Sequence, residues 1–494
     1  MSHAAAPGAT RSQKTRRPRP TSRPSPLRAA VRRHRNRPVD PRSKQPKGQI
    51  GAFTHLRRAV WSWWPWSLLA LWLVSASHWL WAAAATLMAL LSHLLTPRSQ
   101  PPRFGLEHEF AVNSTEFLAT VVGATGVPFI AGNAFEVLNN GDAFYPRMLA
   151  DIRAAQVSVA IEAYIYWAGE VGAEFAAALA ERATAGVRVM VLLDAVGSSD
   201  IGDDTLATLE DGGCRVAWYN PLHWNTIGRY NNRTHRKSLI VDGMIAYTGG
   251  AGIADHWRGD ARGPDEWRDI QVRLEGPAVM PLQSGFAHNW QRTTCELVSG
   301  DMVYPVIEPR GPHAVQAIMS SPESGGSSVQ TMYYLAIVCA RHTIFIANPY
   351  FVPDAVAIET LVEAKGRGLD VRVMVSGNHN DNWWARKNSV RLYGRLLEAG
   401  IQILEYNRSM LHHKFMVVDG HWITIGTANF DNRSFAHNEE SNVCLYERKM
   451  AAKFEKIFLD DVPACGVVTL AAWRQRGWSR RAGELVAGLL EDQV

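Results

Sequence analysis

The pentapeptide Val187-Arg188-Val189-Met190-Val191 recurs letter for letter as Val371-Arg372-Val373-Met374-Val375. Its β-branched, alternating character predicts a strand, and both copies have the same surroundings. Upstream of the first, Val157–Ile161 reads as a strand and the Ala-rich stretch Glu170–Ala185 as a helix. Upstream of the second stand a strand at Thr343–Ala347 and a helix at Ala355–Gly366. Downstream, Trp218-Tyr219-Asn220 answers Glu405-Tyr406-Asn407. Strands alternating with helices predict an α/β fold, a mixed sheet flanked by helices in each half. A period of about 180 residues is too long for a solenoid unit, so the pattern is that of a duplicated domain.

Each half also carries one polar signature. The first is His235-Arg236-Lys237, then Asp242, then Gly249-Gly250; the second is His412-His413-Lys414, then Asp419, then Gly426-Thr427-Ala428-Asn429. Residues two apart on a strand share a face, so His235 and Lys237 should project together, as should His412 and Lys414, with His413 pointing the other way. The Val-Asp-Gly that follows in both copies reads as a hairpin turn held by Asp242 and Asp419, which complete the two candidate catalytic sets with His235 and Lys237 and with His412 and Lys414. Two imidazoles, one from each half, can act as nucleophile and general acid on a phosphodiester. Two ammonium groups can hold the phosphoryl oxygens, so no metal or other cofactor is required. Gly249, Gly250, Gly426, Thr427 and Asn429 are small or polar enough to let phosphate approach. A lone His-x-Lys would mean little; two at identical spacing inside a repeat make coincidence improbable.

The chain has 494 residues, of which 47% are hydrophobic and 20% charged, enough to bury large cores. Residues 1–58 hold 16 Lys/Arg and one acid, Asp40, and are rich in Pro and Ser, which predicts a disordered basic tail. The remainder holds 36 basic and 45 acidic residues, so the high isoelectric point gives no support to nucleic-acid binding by the body. The five cysteines are scattered and include no CxxC, which argues against a disulfide framework or a zinc cluster. From Ala59 to Pro97 there are 39 residues without Lys, Arg, Asp or Glu, with seven tryptophans between Trp61 and Trp81. That run suits a transmembrane helical hairpin broken near Ser75–His78, with tryptophans at the headgroup boundary. The basic tail predicts a cytoplasmic amino terminus, and a hairpin returns the body to the cytosolic face of the cell membrane. A single long span would place it outside.

The signature resembles that of the phospholipase D superfamily over about residues 130–460. Gly132-Asn133, Glu136-Val137-Leu138, Asn140-Gly141-Asp142, Thr234–Lys237, the stretch Gly249–Asp255, and Phe430–Ser434 with Asn438 and Glu440 are similar to bacterial cardiolipin synthases. The resemblance implies two tandem phospholipase D-like lobes in a pseudo-twofold arrangement. The expected boundaries are 107–297 and 330–460, with a connection at 298–329 and an amphipathic, basic helix region at 461–494. It implies a phosphohistidine intermediate, with His235 preferred as nucleophile and His412 as acid/base, and Asp269 and Glu440 as acceptors orienting the two rings. The implied reaction transfers a phosphatidyl group between two phosphatidylglycerol molecules, giving cardiolipin and glycerol. A hydrolase of the same fold, a nuclease and a degenerate membrane scaffold are the rival readings. The family often has Asn where this chain has Gly252, whereas the second copy keeps Asn429, so the halves are not equivalent. Tyr164 and Tyr350, ending the first strand of each half, either line the pocket or pack in the core.

Overall fold

The computed structural model describes residues 62–76, 78–95, 106, 108–221, 231–322 and 328–488. The basic tail and the linker around Pro97–Pro102 lie outside the described residues. Strands β1 (Ile130–Asn139), β2 (Ser158–Ala163), β3 (Arg188–Asp194), β4 (Arg215–Tyr219), β5 (Arg233–Thr234), β6 (Ser238–Val241), β7 (Ile245–Gly249) and β8 (Ile270–Glu275) belong to the first half. The second half supplies β9 (His313–Ser320), β10 (Thr343–Ala347), β11 (Phe351–Val352), β12 (Asp370–Ser376), β13 (Gln402–Tyr406), β14 (Phe415–Val418), β15 (Trp422–Gly426), β16 (Phe430–Asp431), β17 (Asn438–Tyr446) and β18 (Cys465–Val468).

One mixed sheet runs through both halves in the order β18-β13-β12-β10-β14-β15-β17-β9-β1-β8-β7-β6-β2-β3-β4. Read from its centre outward the order is the same on both sides. β2, β3 and β4 are parallel, as are β10, β12 and β13, and an antiparallel hairpin (β6-β7 or β14-β15) follows inward. The two halves join where β9 pairs antiparallel with both β1 and β17. β9 lies inside the segment 298–329, read from sequence as a connection, and β18 adds an edge strand from the segment after 460.

The repeated pentapeptide shows why the layers form. Val189 and Val191 enter a core on one face of the first half, and Met190 enters a core on the other. Val371, Val373 and Val375 likewise face one core and Met374 another. Each such side chain contributes roughly 1.5–3 kcal/mol of burial. The core beneath helices Val279–Thr294 and Arg448–Asp461 is continuous between the halves, holding Phe286 and Trp290 together with Phe454 and Phe458. The opposite faces have separate cores.

The turn residues hold the hairpins as expected. Asp242 and Gly243 have φ of 52° and 64°, and Asp419 and Gly420 have 53° and 59°, the left-handed pair that a tight β-turn of this hand requires. The Asp242 carboxylate accepts from the backbone N–H groups of Gln156, Val157 and Ser158 at 2.8–3.2 Å. Asp419 accepts from Arg341, His342 and Thr343 at 2.7–2.9 Å. Each aspartate thus ties its hairpin to the start of the neighbouring parallel strand.

Within the charge-free run are helices Trp63–Ser75 and Trp79–Leu95, which pack on each other. With 13 and 17 residues, neither is long and apolar enough to cross a membrane, and no other helix among the described residues is. Leu68, Leu71, Trp72, Trp79, Leu80 and Trp81 are exposed on them. The carboxy-terminal helix Trp478–Gly488 docks on helix Trp383–Glu398, where Asn388 donates to the Ala487 carbonyl at 3.0 Å. All five cysteines are free; Cys214, Cys339 and Cys444 are buried.

Candidate active site

The two His-x-Lys segments enter the hairpins β6-β7 and β14-β15 from the side where the halves meet. Thr234, just before His235, pairs parallel with Glu439 of the opposite half, and the His235 N–H donates to the Glu439 carbonyl at 2.9 Å. The second half mirrors this: Leu411 bridges Arg268, and the His412 N–H donates to the Arg268 carbonyl at 2.8 Å. Each histidine is therefore registered against the residue that precedes the other half's carboxylate.

The consequence is a crossed pair of hydrogen bonds. His235 Nδ1 lies 3.0 Å from both oxygens of Glu440, and His412 Nδ1 lies 2.8 Å from Asp269 Oδ2. An ionised carboxylate only accepts, so Nδ1–H is the donor and Nε2 is left for chemistry in both rings. Both carboxylates are wholly buried and braced. Trp257 Nε1 donates to Asp269 Oδ2 at 2.8 Å and the Ile270 N–H to Oδ1 at 2.8 Å. Thr427 Oγ1 donates to Glu440 Oε2 at 2.6 Å, and Asn438 Nδ2 to Oε1 at 3.2 Å.

The lysines fold back over their own histidines. Lys237 Nζ donates to the His235 carbonyl at 3.0 Å and sits 5.4 Å above the Tyr164 ring. Lys414 Nζ donates to the His412 carbonyl and stands 3.2 Å from each nitrogen of that ring. All four side chains are buried and feel one another. Burial and Lys237 lower His235 to about 4 against the opposing pull of Glu440, and burial and Lys414 lower His412 to about 3. Burial and the charge of Lys414 bring Lys237 down to about 7. Burial lowers Lys414 to about 8, with Asp269, Glu440 and Asp381 partly restoring it. Burial alone would raise Glu440, but His235, Thr427 and Lys237 take it down to about 2; His412 and Lys414 likewise hold Asp269 below the ordinary carboxylate range.

Other residues singled out in the sequence fall elsewhere. Asp242 and Asp419 stand at the far ends of β6 and β14 from the lysines, roughly 15 Å away along the strand, occupied with backbone N–H groups. A Cβ on Gly250 would come 2.2 Å from Asp269 Oδ1, so this glycine makes room for the carboxylate hydrogen-bonded to His412. Thr427, its counterpart, commits its hydroxyl to Glu440. Cβ atoms on Gly249 and Gly426 would strike the carbonyls of Ile270 and Ser441 on the adjacent strands. Asn429 is buried, and its Oδ1 has no hydrogen-bond partner. At the matching place a Cβ on Gly252 would meet Ile165 at 2.9 Å, a packing reason for the smaller residue. His413 points away into the core, its ring 5.0 Å from that of Phe415.

Sequence reasoning had Tyr164 and Tyr350 either lining the pocket or packed in the core, and it missed the two tryptophans beside His412. Trp257 and Trp267 hold their rings 5.2 and 5.4 Å from it, and Tyr350 is 6.4 Å away. Tyr164 stands edge-on to His235 at 5.2 Å. It also missed Asp381, which accepts the Tyr350 hydroxyl. The signal for Asp381 was its position just past the carboxyl end of parallel strand β12, where open α/β sheets place ligands.

A family model described as "Cardiolipin synthase, PLD-like domain" matches residues 148–257 and 335–462, one stretch in each half. A cardiolipin synthase of Listeria welshimeri is 32% identical over 361 residues, 72% of this chain and 75% of the relative. That of Geobacillus kaustophilus is 33% identical over 357 residues, 72% and 71%. This chain belongs to the cardiolipin synthase family of the phospholipase D superfamily. The solved phosphatidylserine synthase of Haemophilus influenzae superposes with a TM-score of 0.57 over 77% of this chain and all of that one, at 12% identity. At that identity the likeness is one of fold, and it fits the large mixed sheet with two phospholipase D-like domains.

We propose that the two lysines of this cardiolipin synthase family member hold an anion between them, and its binding then depends on pH. Lys237 releases its proton as pH rises through about 7, so an anion loses one of its two positive partners there. Binding of sulfate, which does not titrate in this range, should weaken by about tenfold per pH unit above 7 and take up protons from solution. Lys237→Arg keeps its charge and should flatten the profile between pH 7 and 8. Calorimetry in two buffers of different ionisation heat reads both effects, and a pH-independent affinity in the original protein would refute the assignment.

Proposed function

We propose that this chain transfers a phosphatidyl group from one phosphatidylglycerol to a hydroxyl of another, giving cardiolipin and glycerol through a phosphohistidine. The observation that carries the reading is the crossed pair of carboxylate–imidazole bonds with a lysine on each ring, in a chain about one-third identical to cardiolipin synthases. His235 Nε2 attacks phosphorus while His412, which takes up a second proton on Nε2 once the anionic diester stands beside it, gives that proton to the departing glycerol oxygen. The incoming lipid hydroxyl then gives its proton back to His412 as its oxygen displaces His235 Nε2 from phosphorus. Lys237 and Lys414 neutralise the non-bridging oxygens in both steps, where their field acts in a buried, water-poor pocket. The tryptophan-rich helices and their exposed leucines support attachment to the cell membrane, with the lobes on the cytosolic face and lipid acceptor held at high local concentration.

Purified full-length protein given labelled phosphatidylglycerol in detergent should yield cardiolipin on separation of the lipids. Phosphatidic acid alone would identify a hydrolase, and unchanged lipid a scaffold; either outcome rejects the proposal.

A further inference from the structure

The two sides of the pocket differ in what stands beside each imidazole. At His235 there is the Tyr164 ring, with Lys237 over its face. At His412 there is a tyrosine whose hydroxyl is bonded to a carboxylate: Tyr350, edge-on to the ring at 6.4 Å, donates to Asp381. Asp381 is solvent-exposed, at the foot of helix Trp383–Glu398, and its charge is among those that act on Lys414. A carboxylate next to an anion-binding pocket opposes the phosphodiester it must admit. Its place is accounted for if the ligand brings hydroxyl donors to that spot.

Resting on the transferase reading above, we infer that Tyr350 and Asp381 form the subsite for the glycerol hydroxyls of the alcohol partner. His412 is the acid/base, so the leaving glycerol and the incoming lipid's glycerol both pass beside it. The Asp381 carboxylate accepts from a glycerol hydroxyl, and the reacting hydroxyl faces His412 Nε2. In the second step the oxygen–phosphorus bond forms, the His235 Nε2–phosphorus bond breaks, and the hydroxyl proton moves to His412. Water has the same O–H but no neighbouring hydroxyl for Asp381 to hold, so the subsite favours transfer over hydrolysis by positioning the polyol.

The test is the partition of product. Full-length protein acts on labelled phosphatidylglycerol in mixed micelles, and the ratio of cardiolipin to phosphatidic acid is measured. Asp381→Asn and Tyr350→Phe should each lower that ratio by about tenfold or more, the scale set by a hydrogen bond to a charged group. A ratio within twofold of the original in both variants overturns the subsite, whatever happens to total turnover. An original protein that makes no cardiolipin defeats the transferase reading instead, and is told apart by that control. A second measurement needs no turnover. In a His235→Asn chain, calorimetry should find glycerophosphoglycerol bound about tenfold more tightly than dimethyl phosphate, and Asp381→Asn should erase the preference. Equal binding of the two diesters before Asp381 is changed also overturns the subsite.

Discussion

A His412→Asn protein given a phosphatidyl diester with a nitrophenol leaving group should release close to one equivalent of nitrophenol per active site and then stall. Nitrophenolate departs without a proton, so the first step no longer needs an acid, and His235 Nε2 still has Glu440 behind it and two lysines around the phosphate. The second step requires a base to take the proton of the attacking hydroxyl, and without the His412 imidazole none faces that hydroxyl. Phosphoenzyme should accumulate as an acid-labile, base-stable adduct. With phosphatidylglycerol itself, whose glycerol needs protonation, the same variant should lose about 100- to 10,000-fold in turnover. His235→Asn should give neither burst nor adduct with either substrate. Quench-flow with nitrophenol absorbance and phosphoenzyme trapping separates the two variants. A burst from His235→Asn and none from His412→Asn would exchange the two roles while leaving the pocket intact.

That experiment addresses what the sequence leaves open, and the residues show why. The duplication was legible because strands buried on both faces repeat a letter-for-letter apolar pattern, and because the His-x-Lys spacing follows the two-residue period of a strand. The hairpin turns were legible because Asp-Gly at a left-handed pair is a local preference. β9 was hidden. It is buried on both faces yet carries Gln316 and Ser320, whose partners come from elsewhere in the fold, and it sits between proline-rich and Ser/Gly-rich stretches. The matching of imidazoles to carboxylates was hidden for a related reason. His235 and Glu440 are 205 residues apart and His412 and Asp269 are 143 apart, joined by strand pairing between halves. Motif position marked Asp269 and Glu440 as a set; only the interlobe register assigns each to the opposite ring.

The crossed assignment carries the second large effect. Asp269→Asn and Glu440→Gln keep size and hydrogen-bonding capacity but supply an amide where a carboxylate stood. Nδ1 of the facing imidazole can then accept from that amide, which favours the tautomer with its proton on Nε2, the nitrogen that must be free to attack or to take a proton. In a histidine site of the same logic, an Asp→Asn change costs about 10,000-fold in turnover, and a loss of about 1,000-fold or more is expected here. The two variants should also perturb different rings. Asp269 lies in the first half yet should change only His412, and Glu440 lies in the second yet should change only His235. The carboxylates raise the imidazole pKa values against burial, so each substitution should lower the pKa of the ring across the lobe boundary and leave the other near its starting value. Nitrogen-15 histidine spectra across a pH titration distinguish the rings and their tautomers. If Asp269→Asn moved the His235 signals and spared those of His412, the crossed geometry would be wrong and each half would be orienting its own histidine.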